Sequence, residues 1–423
     1  MALNRSVGYS NWYFVTILYI VFDYGRPTDI LPIGFLRPLM YLNIILIFYV
    51  VTKGLHRAVE SPQLLYIWIF IAILGVFVLF ARNNFYAYVT ARNQLLFMPF
   101  IISIVACINS HQRLRQTINI CIGLMIWISL YAVTHSGHGP GNYFTDENDL
   151  CLYINMWLPF CYFFFFSEKN IKRKLFYATG LLTGLFAVVA SFSRGGFIGI
   201  LAVAGTISLV SKRKTKGLIG LLIVAVALLF IGDESYWSEM STVTNIEDGT
   251  AQARIESWKA GLRMFADNPL GVGGNNFQVR FDEYQGDWFK RGMWGRVAHS
   301  LWITLLTELG IIGTVVYLLI LYKNLKDLQY IRKKIPDAPQ NSQKAFLHTL
   351  SLSYFASLAG YFASGTFLSV LYYAHYWYMT GLIIATYNLA RKMNGGRNHP
   401  RHVTSGSYPS KNISEMHESE LAT

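Results

Sequence analysis

Charged residues are scarce in this chain. Of its 423 residues, 14% are charged and 53% are hydrophobic, whereas soluble domains carry roughly 25% charged residues. This shortage excludes an ordinary soluble domain. Apolar stretches near the ~20 residues needed to cross a bilayer recur along the chain, and they indicate an integral membrane protein.

Cysteine is also scarce, and its placement argues against structural cross-links. The four cysteines lie in or beside apolar stretches, with no CxxC pair and no histidine at metal-ligand spacing. Such residues are typical of helix packing rather than of a disulfide framework or a zinc site. They are Cys107, Cys121, Cys151 and Cys161.

The apolar stretches predict an all-α fold, a polytopic bundle of about twelve transmembrane helices. No internal repeat is evident. The predicted spans are about 9–23, 36–52, 63–80, 94–109, 117–134, 149–167, 174–191, 196–210, 217–232, 299–322, 346–364 and 367–390.

The spans divide the chain into four parts. Residues 1–232 hold helices one to nine, 233–298 form one long connecting loop, and 299–390 hold helices ten to twelve. The remainder, 391–423, is polar and rich in Gly and Ser, which predicts a disordered tail.

The long loop contains a predicted amphipathic helix. Four apolar side chains recur there at the spacing of one helix face, and Pro269 is expected to end the helix. This apolar face is expected to rest on the membrane. The four residues are Ile255, Trp258, Leu262 and Phe265.

The distribution of basic residues predicts the orientation in the membrane. With both termini placed inside, 24 of the 36 Lys and Arg residues lie in inner segments and 12 in outer ones. This asymmetry follows the positive-inside rule, so the termini are predicted to be cytoplasmic and 233–298 to be outside. The net charge of +13 is therefore a signal of topology and of contact with anionic lipids, and it does not indicate nucleic-acid binding.

Arg194 is the first candidate functional residue. It lies in the segment SFSRGGFIG, at a predicted outer turn between two apolar spans. An arginine at the membrane boundary is costly unless it is solvated, paired or facing a polar cavity. Its guanidinium fits phosphate oxygens, and the two following glycines allow close approach or a tight helix entry. The alternative is an arginine that merely reaches toward the interface.

Further polar residues surround the start of the tenth predicted span. His299 begins it in AHSLW, directly behind Arg291 and Arg296, and a neutral imidazole can accept a proton near pH 7. Arg254 lies on the amphipathic helix, together with Arg263, for which a solvated role is expected. An interfacial role is the alternative for His299.

Two nearby features have more than one interpretation. Glu308 lies nine residues after His299, too far along the helix for a direct pair, and could hold neighbouring helices or Arg194. The segment LGVGGNNF resembles a phosphate-cradling loop but lacks the strand and the Lys-Ser/Thr pair of a P-loop.

The acidic run 146–149, which includes Asn148, precedes the sixth predicted span. Such a run can bind a divalent metal, but Asp and Asn at this position favour a helix N-cap. Other outer polar residues could face the same cavity as Arg194, namely Arg26, Asp29, Arg82 and Arg92.

Three segments together resemble the O-antigen ligase/O-antigen polymerase superfamily of bacterial polytopic membrane glycosyltransferases. They are SFSRGG, RIESWKAGLRMFADNPLGVGGNNF and AHSLWITLLTELGIIG, and the stretch DENDLCLYINMWLP resembles a further family pattern. The resemblance covers about 145–315. Order, spacing and outer location carry it, since no single motif is diagnostic.

The resemblance implies a glycosyltransferase in the bacterial inner membrane, with its active site facing the periplasm. The donor would be a glycan on undecaprenyl pyrophosphate, and a hydroxyl on a glycan, lipid or protein would accept it. Arg194 and Arg254 would contact the pyrophosphate and His299 would act at the acceptor hydroxyl, without a metal or other cofactor. Supporting residues would be Arg291, Arg296, Glu308 and Asn148.

Three alternatives stay open at this point. A repeat-unit polymerase uses the same donor as a ligase, and only the acceptor differs. A secondary transporter would place charges at mid-bilayer, whereas the polar residues here cluster at one outer edge. A non-catalytic scaffold or flippase partner would not need the two arginines and the histidine.

Overall fold

The computed structural model describes residues 3–31, 33–141, 143–211, 249–335 and 342–395, and within these ranges it contains helices and no strand. The main helices are α1 Leu3–Gly25, α2 Pro38–Tyr49, α3 Pro62–Phe80, α4 Asn84–Cys107, α5 His111–Thr134, α6 Glu147–Ser167, α7 Ile171–Ala190, α8 Arg194–Val210, α9 Gly249–Asp267, α10 Phe277–Tyr284, α11 Leu301–Lys334, α12 Gln343–Gly365 and α13 Ala374–Gly395. Short helical segments lie at Pro27–Ile30, Gly34–Leu36, Val50–Gly54 and Leu55–Arg57.

The helices agree with the apolar pattern of the sequence. Every predicted span except 217–232 falls on one of them, and that span lies outside the described residues, as do 233–248 and the tail from 396. Among the described residues, seven helices are long and apolar enough to cross a membrane: α2 with its flanking turns, α3 to α7, and α11. The protein is therefore a helical polytopic membrane bundle.

Polar side chains fix where many of these helices begin. In eight of the described helices the N-cap side chain accepts a hydrogen bond from a backbone N–H of the first turn, which satisfies a donor that the helix itself leaves unpaired. The capping residues are Ser61, Asn83, Ser110, Asp146, Asn170, Ser193, Ser300 and Ser342.

Helix α6 is the centre of the bundle. From Leu150 to Phe164 it is buried on all sides, packed against α7, α8 and α12. Helices α2 and α3 differ, because each exposes a broad apolar face with large side chains such as Phe48 and Leu79. Exposed apolar faces of this kind are expected where a helix contacts lipid.

The predicted amphipathic helix is present as α9 and ends two residues before Pro269. The face that is buried against the protein contains Ala253, Ser257, Ala260 and Met264, whereas the predicted apolar stripe is half-buried at Ile255, Trp258 and Phe265. The reason is steric: a Cβ on Gly261 would lie 2.4 Å from Ile303 Cγ2, so the α9 backbone approaches α11 closely. Leu262, from the apolar stripe, is exposed.

A small second core supports this outer layer. It is formed by Ala260 and Met264 of α9, Phe277 and Phe281 of α10, and nearby Phe289. Helices α9 and α10 thereby pack on each other and on the first half of α11. The layer covers the end of the bundle at which α11 begins.

Candidate active site

Two helix starts, those of α6 and α8, are joined by one side chain. Ser193 caps α8, and its Oγ donates a hydrogen bond of 2.7 Å to Asn148 Oδ1 in the first turn of α6. The same Oγ accepts the Gly196 N–H at 2.9 Å. One serine thus links the beginnings of α6 and α8, and it lies directly before Arg194.

The acidic run before α6 forms the predicted helix cap. Asp146 Oδ1 accepts the backbone N–H of Asn148 at 2.8 Å and that of Asp149 at 3.4 Å. The Asn148 side-chain amide donates to Asp146 Oδ1 and Glu147 Oε1, at 3.1 and 3.2 Å. Asn148 is therefore oriented from both sides, by these carboxylates and by Ser193.

Arg194 is the first residue of α8 and is half-buried. Gly196, two residues later, allows α8 to pack closely on α6, because a Cβ at this position would lie 2.5 Å from Cys151 Cβ. Of the two roles expected for the glycine pair, the tight helix entry is the one seen. Arg194 thereby follows directly on Ser193 of the Asn148–Ser193 link.

His299 occupies an unusual backbone position. Its φ is +46°, in the left-handed region that side chains rarely adopt. Its N–H donates to Ser369 Oγ at 2.9 Å, and the next residue, Ser300, caps α11. A strained conformation held by these contacts sets the direction of the imidazole, and such strain is found most often at functional sites.

The electrostatics of His299 show which charges surround it. Burial lowers the imidazole pKa from its usual value, and the nearby positive charges of Arg254 and Arg296 lower it further. The Asp146 carboxylate acts in the opposite direction. Arg254, Arg296 and the cap of α6 therefore all lie within electrostatic reach of His299, and burial and the two arginines favour the neutral imidazole.

Two contacts hold α9 against the segment that precedes His299. Trp258 Nε1 donates to the Ala298 carbonyl at 3.0 Å, and Arg296 Nε donates to Ser257 Oγ at 2.7 Å. The Arg296 guanidinium also lies 5.0 Å from the centre of the Phe289 ring. Burial and the charge of Arg254 lower the pKa of Arg296, so two guanidinium groups are held close together in a half-buried site. A bound anion would offset their repulsion.

Two of the expected supporting residues lie elsewhere. The Arg291 side chain is exposed, and its carbonyl accepts from Gln285 Nε2. Glu308 is buried, and its carboxylate accepts the N–H groups of Asn275 and Phe277 at 2.7 and 3.1 Å and the hydroxyl of Tyr372 at 2.6 Å. Glu308 thus holds a loop and a neighbouring helix start.

The glycine-rich segment is a structural clamp. Besides the donors taken by the Glu308 side chain, Val272 N–H donates to the Thr307 carbonyl and Gly273 N–H to the Glu308 carbonyl. These carbonyls are free because α11 is interrupted at Gly310, with φ 60° and ψ −162°. Because these N–H groups of the loop are hydrogen-bonded to α11, they do not form the phosphate cradle that the sequence resembles.

The other outer arginines have their own partners. Arg26 pairs with Asp23 and Asp29, at 4.0 and 3.8 Å, and covers the Tyr143 ring. Arg82 pairs with Glu283 of α10. Arg82 therefore supports the layer of α9 and α10, and Arg26 supports the loop before α6.

Several residues that the sequence did not single out also contribute. Ser193 joins the starts of α6 and α8, Ser369 fixes His299, and the Tyr373 hydroxyl donates to Asp149 Oδ2 at 2.9 Å. A serine directly before a helix that opens with Arg-Gly-Gly is a sequence signal for a cap. The tyrosines of SVLYYAHYW carry no comparable signal, because their partners are more than fifty residues away.

The comparison with known families bears directly on this site. Residues 179–318 match the family model described as O-Antigen ligase. The predicted resemblance is confirmed for this segment, which is similar to the O-antigen ligase family. It contains Arg194, Arg254, Arg296 and His299, while Asn148 lies before it. No curated protein matches the chain.

The clamp makes a prediction for stability. In Glu308→Gln one carboxylate oxygen becomes an NH₂ group facing a donor, so at least one buried N–H or hydroxyl loses its acceptor. We expect a loss of about 1–3 kcal/mol in unfolding free energy, seen as a lower thermal unfolding temperature in detergent. Asp282→Asn, at an exposed position of α10, is the control. Equal unfolding temperatures for the two variants would contradict the clamp.

Proposed function

We propose that this O-antigen ligase-type membrane protein is a glycosyltransferase that moves a glycan from undecaprenyl pyrophosphate to an acceptor hydroxyl. The observation that carries the proposal is the position of His299 beside Arg254 and Arg296, which lower its pKa and so favour the neutral imidazole. A proton acceptor next to two phosphate-binding groups is what this transfer needs. The family match supports the same class of reaction.

The arginines would hold the donor. Arg254 comes from α9 and Arg194 from the start of α8, so in this proposal two different helices contribute to the donor site. Each guanidinium can donate two parallel hydrogen bonds to phosphate oxygens. Arg296 adds positive charge next to Arg254, a role that the sequence assigned only as supporting.

The histidine would activate the acceptor. The acceptor oxygen attacks the anomeric carbon of the donor, and its proton passes to the neutral imidazole of His299. The bond between that carbon and the pyrophosphate oxygen breaks, and the pyrophosphate leaves with the electron pair. The guanidinium groups stabilise the charge that grows on this leaving group, so the scheme uses no metal.

We further propose twelve spans in the inner membrane, cytoplasmic termini and a periplasmic active site. The asymmetry of 24 inner against 12 outer basic residues supports this orientation. The layer of α9 and α10 would then lie on the periplasmic surface, where it covers the start of α11. We propose a ligase, with a repeat-unit polymerase as the alternative, since both use this donor chemistry.

Analysis of glycans in a deletion strain separates the two. Loss of a ligase leaves long glycan chains on the lipid carrier, because they are still assembled but not transferred. Loss of a polymerase leaves single repeat units instead. We expect long lipid-linked chains to accumulate, and re-expression of the parent protein to clear them. Accumulation of single units would indicate a polymerase rather than a ligase, and an unchanged glycan profile would refute both.

The role of His299 predicts a specific loss of turnover. A positioned base contributes roughly 10²–10⁴-fold, so His299→Ala should transfer glycan slower by about that factor while it still binds the donor. His299→Gln should be nearly as slow, because an amide cannot accept the proton. The exposed His135→Ala is the control. Parent-like turnover of the alanine variant on purified donor would remove His299 from the mechanism.

The electrostatics of the site predict the pH dependence. Since burial, Arg254 and Arg296 all lower the His299 pKa in the free protein, the rate at donor concentrations well below KM should fall only as the pH drops through a value below the usual ~6.5. In Arg296→Gln one positive charge is removed, so this acid limb should move to higher pH. The measurement is the rate of glycan transfer against pH, normalised for each variant. An acid limb that stays in place, or moves to lower pH, would contradict the assignment of this limb to His299.

A further inference from the structure

A polar cavity lies at the end of the bundle opposite His299. Its volume is about 800 Å³, within the range of roughly 300–1,000 Å³ typical of ligand sites. Helix α13 shows the separation of the two ends. It begins at Ala374, whose N–H donates to the Tyr143 hydroxyl near the start of α6, and its last turns line this cavity.

Positive charge dominates the cavity wall. Besides one acid, Glu60, five basic side chains line it: Lys53, His56, Arg57, Arg391 and Lys392. The acid is already engaged, because both Glu60 oxygens accept from Arg57 NH1 at 2.6 and 2.7 Å. Lys53, Arg391 and Lys392 therefore leave the wall with a net positive charge that Glu60 does not neutralise.

The backbone is irregular where it supplies these groups. Helix α2 changes at Val50 into a π-helical turn, Val50–Gly54, and then into the 3₁₀ turn Leu55–Arg57. Widened turns of this kind occur frequently at functional sites. Here the irregular segment contributes Lys53, His56 and Arg57 to one wall, while α13 contributes the facing basic residues.

Polar and apolar surroundings together indicate the class of ligand. The uncharged polar residues Asn109 and Asn388 also line the cavity and offer hydrogen bonds. Beside it, Val51, Leu55 and Val59 expose more than 60% of their surface, as side chains in contact with acyl chains do. Basic pockets between transmembrane helices at the cytoplasmic surface suit anionic lipid head groups.

The positive-inside rule alone accounts for basic residues at this end, but not for their convergence. Lys169 and Lys172 lie in another predicted inner loop and are exposed without lining this cavity. In contrast, the basic side chains of the cavity come from two separate parts of the chain and enclose one volume. We propose that this cavity binds a phosphate-bearing anion, with the head group of an anionic phospholipid as the source that its lipid-facing rim favours.

The test uses full-length protein, purified in a neutral detergent, without any assay of glycan transfer. Phosphatidylglycerol or phosphatidylcholine is added, and bound lipid is counted by native mass spectrometry. Lys53→Gln combined with Lys392→Gln removes two cavity charges from exposed positions. The matched control is Lys169→Gln combined with Lys172→Gln, which removes the same charge from the same predicted side.

We expect the parent and the control to retain phosphatidylglycerol in preference to phosphatidylcholine. The cavity variant should bind phosphatidylglycerol more weakly, by up to roughly tenfold. Inorganic pyrophosphate, added without lipid, distinguishes the source. If it binds the parent tightly and the cavity variant poorly, the ligand is a soluble phosphate compound. Equal retention of phosphatidylglycerol and equal pyrophosphate binding by the cavity variant and the control would overturn the proposal.

Discussion

The Glu308 carboxylate connects the membrane bundle to the layer that completes the site. It is buried in α11, and it accepts two backbone N–H groups from the loop that follows α9. The interruption of α11 at Gly310 frees carbonyls for the same loop. With the loop fixed, α9 lies across the start of α11, and its Trp258 and Ser257 can hold the segment before His299. The position of Arg254 relative to His299 depends on this clamp.

One set of charges serves both halves of the proposed reaction. Arg254 and Arg296 form a positive site that suits a pyrophosphate, and the same charges lower the pKa of His299. When the donor is absent, these charges therefore favour the neutral imidazole, the form that can accept a proton. When a pyrophosphate binds, its negative charge offsets the arginines and raises the proton affinity of the imidazole. Donor binding would thus strengthen the base that activates the acceptor.

The sequence predicted the parts of this structure that depend on local pattern. Apolar length predicted the helices, the cap before α6 followed from Asp and Asn at a helix start, and Pro269 marked the end of α9. The closeness of Arg254 and Arg296 to His299 is consistent with the sequence pattern that grouped them, while the side of the membrane on which they lie stays a prediction. Local pattern could not show what a distant partner decides: the buried face of α9 is set by Gly261 against α11, and the role of the glycine-rich loop by Glu308.

The central claim is that Arg254 binds the pyrophosphate of the donor while His299 acts only on the acceptor. The most direct measurement is the affinity of the purified protein for the lipid-linked donor, compared among the parent, Arg254→Lys and His299→Ala. A lysine cannot reproduce the paired hydrogen bonds of a guanidinium, so Arg254→Lys should bind the donor more weakly, by up to roughly tenfold. His299→Ala should bind the donor as the parent does. Parent-like donor affinity of Arg254→Lys would contradict the account.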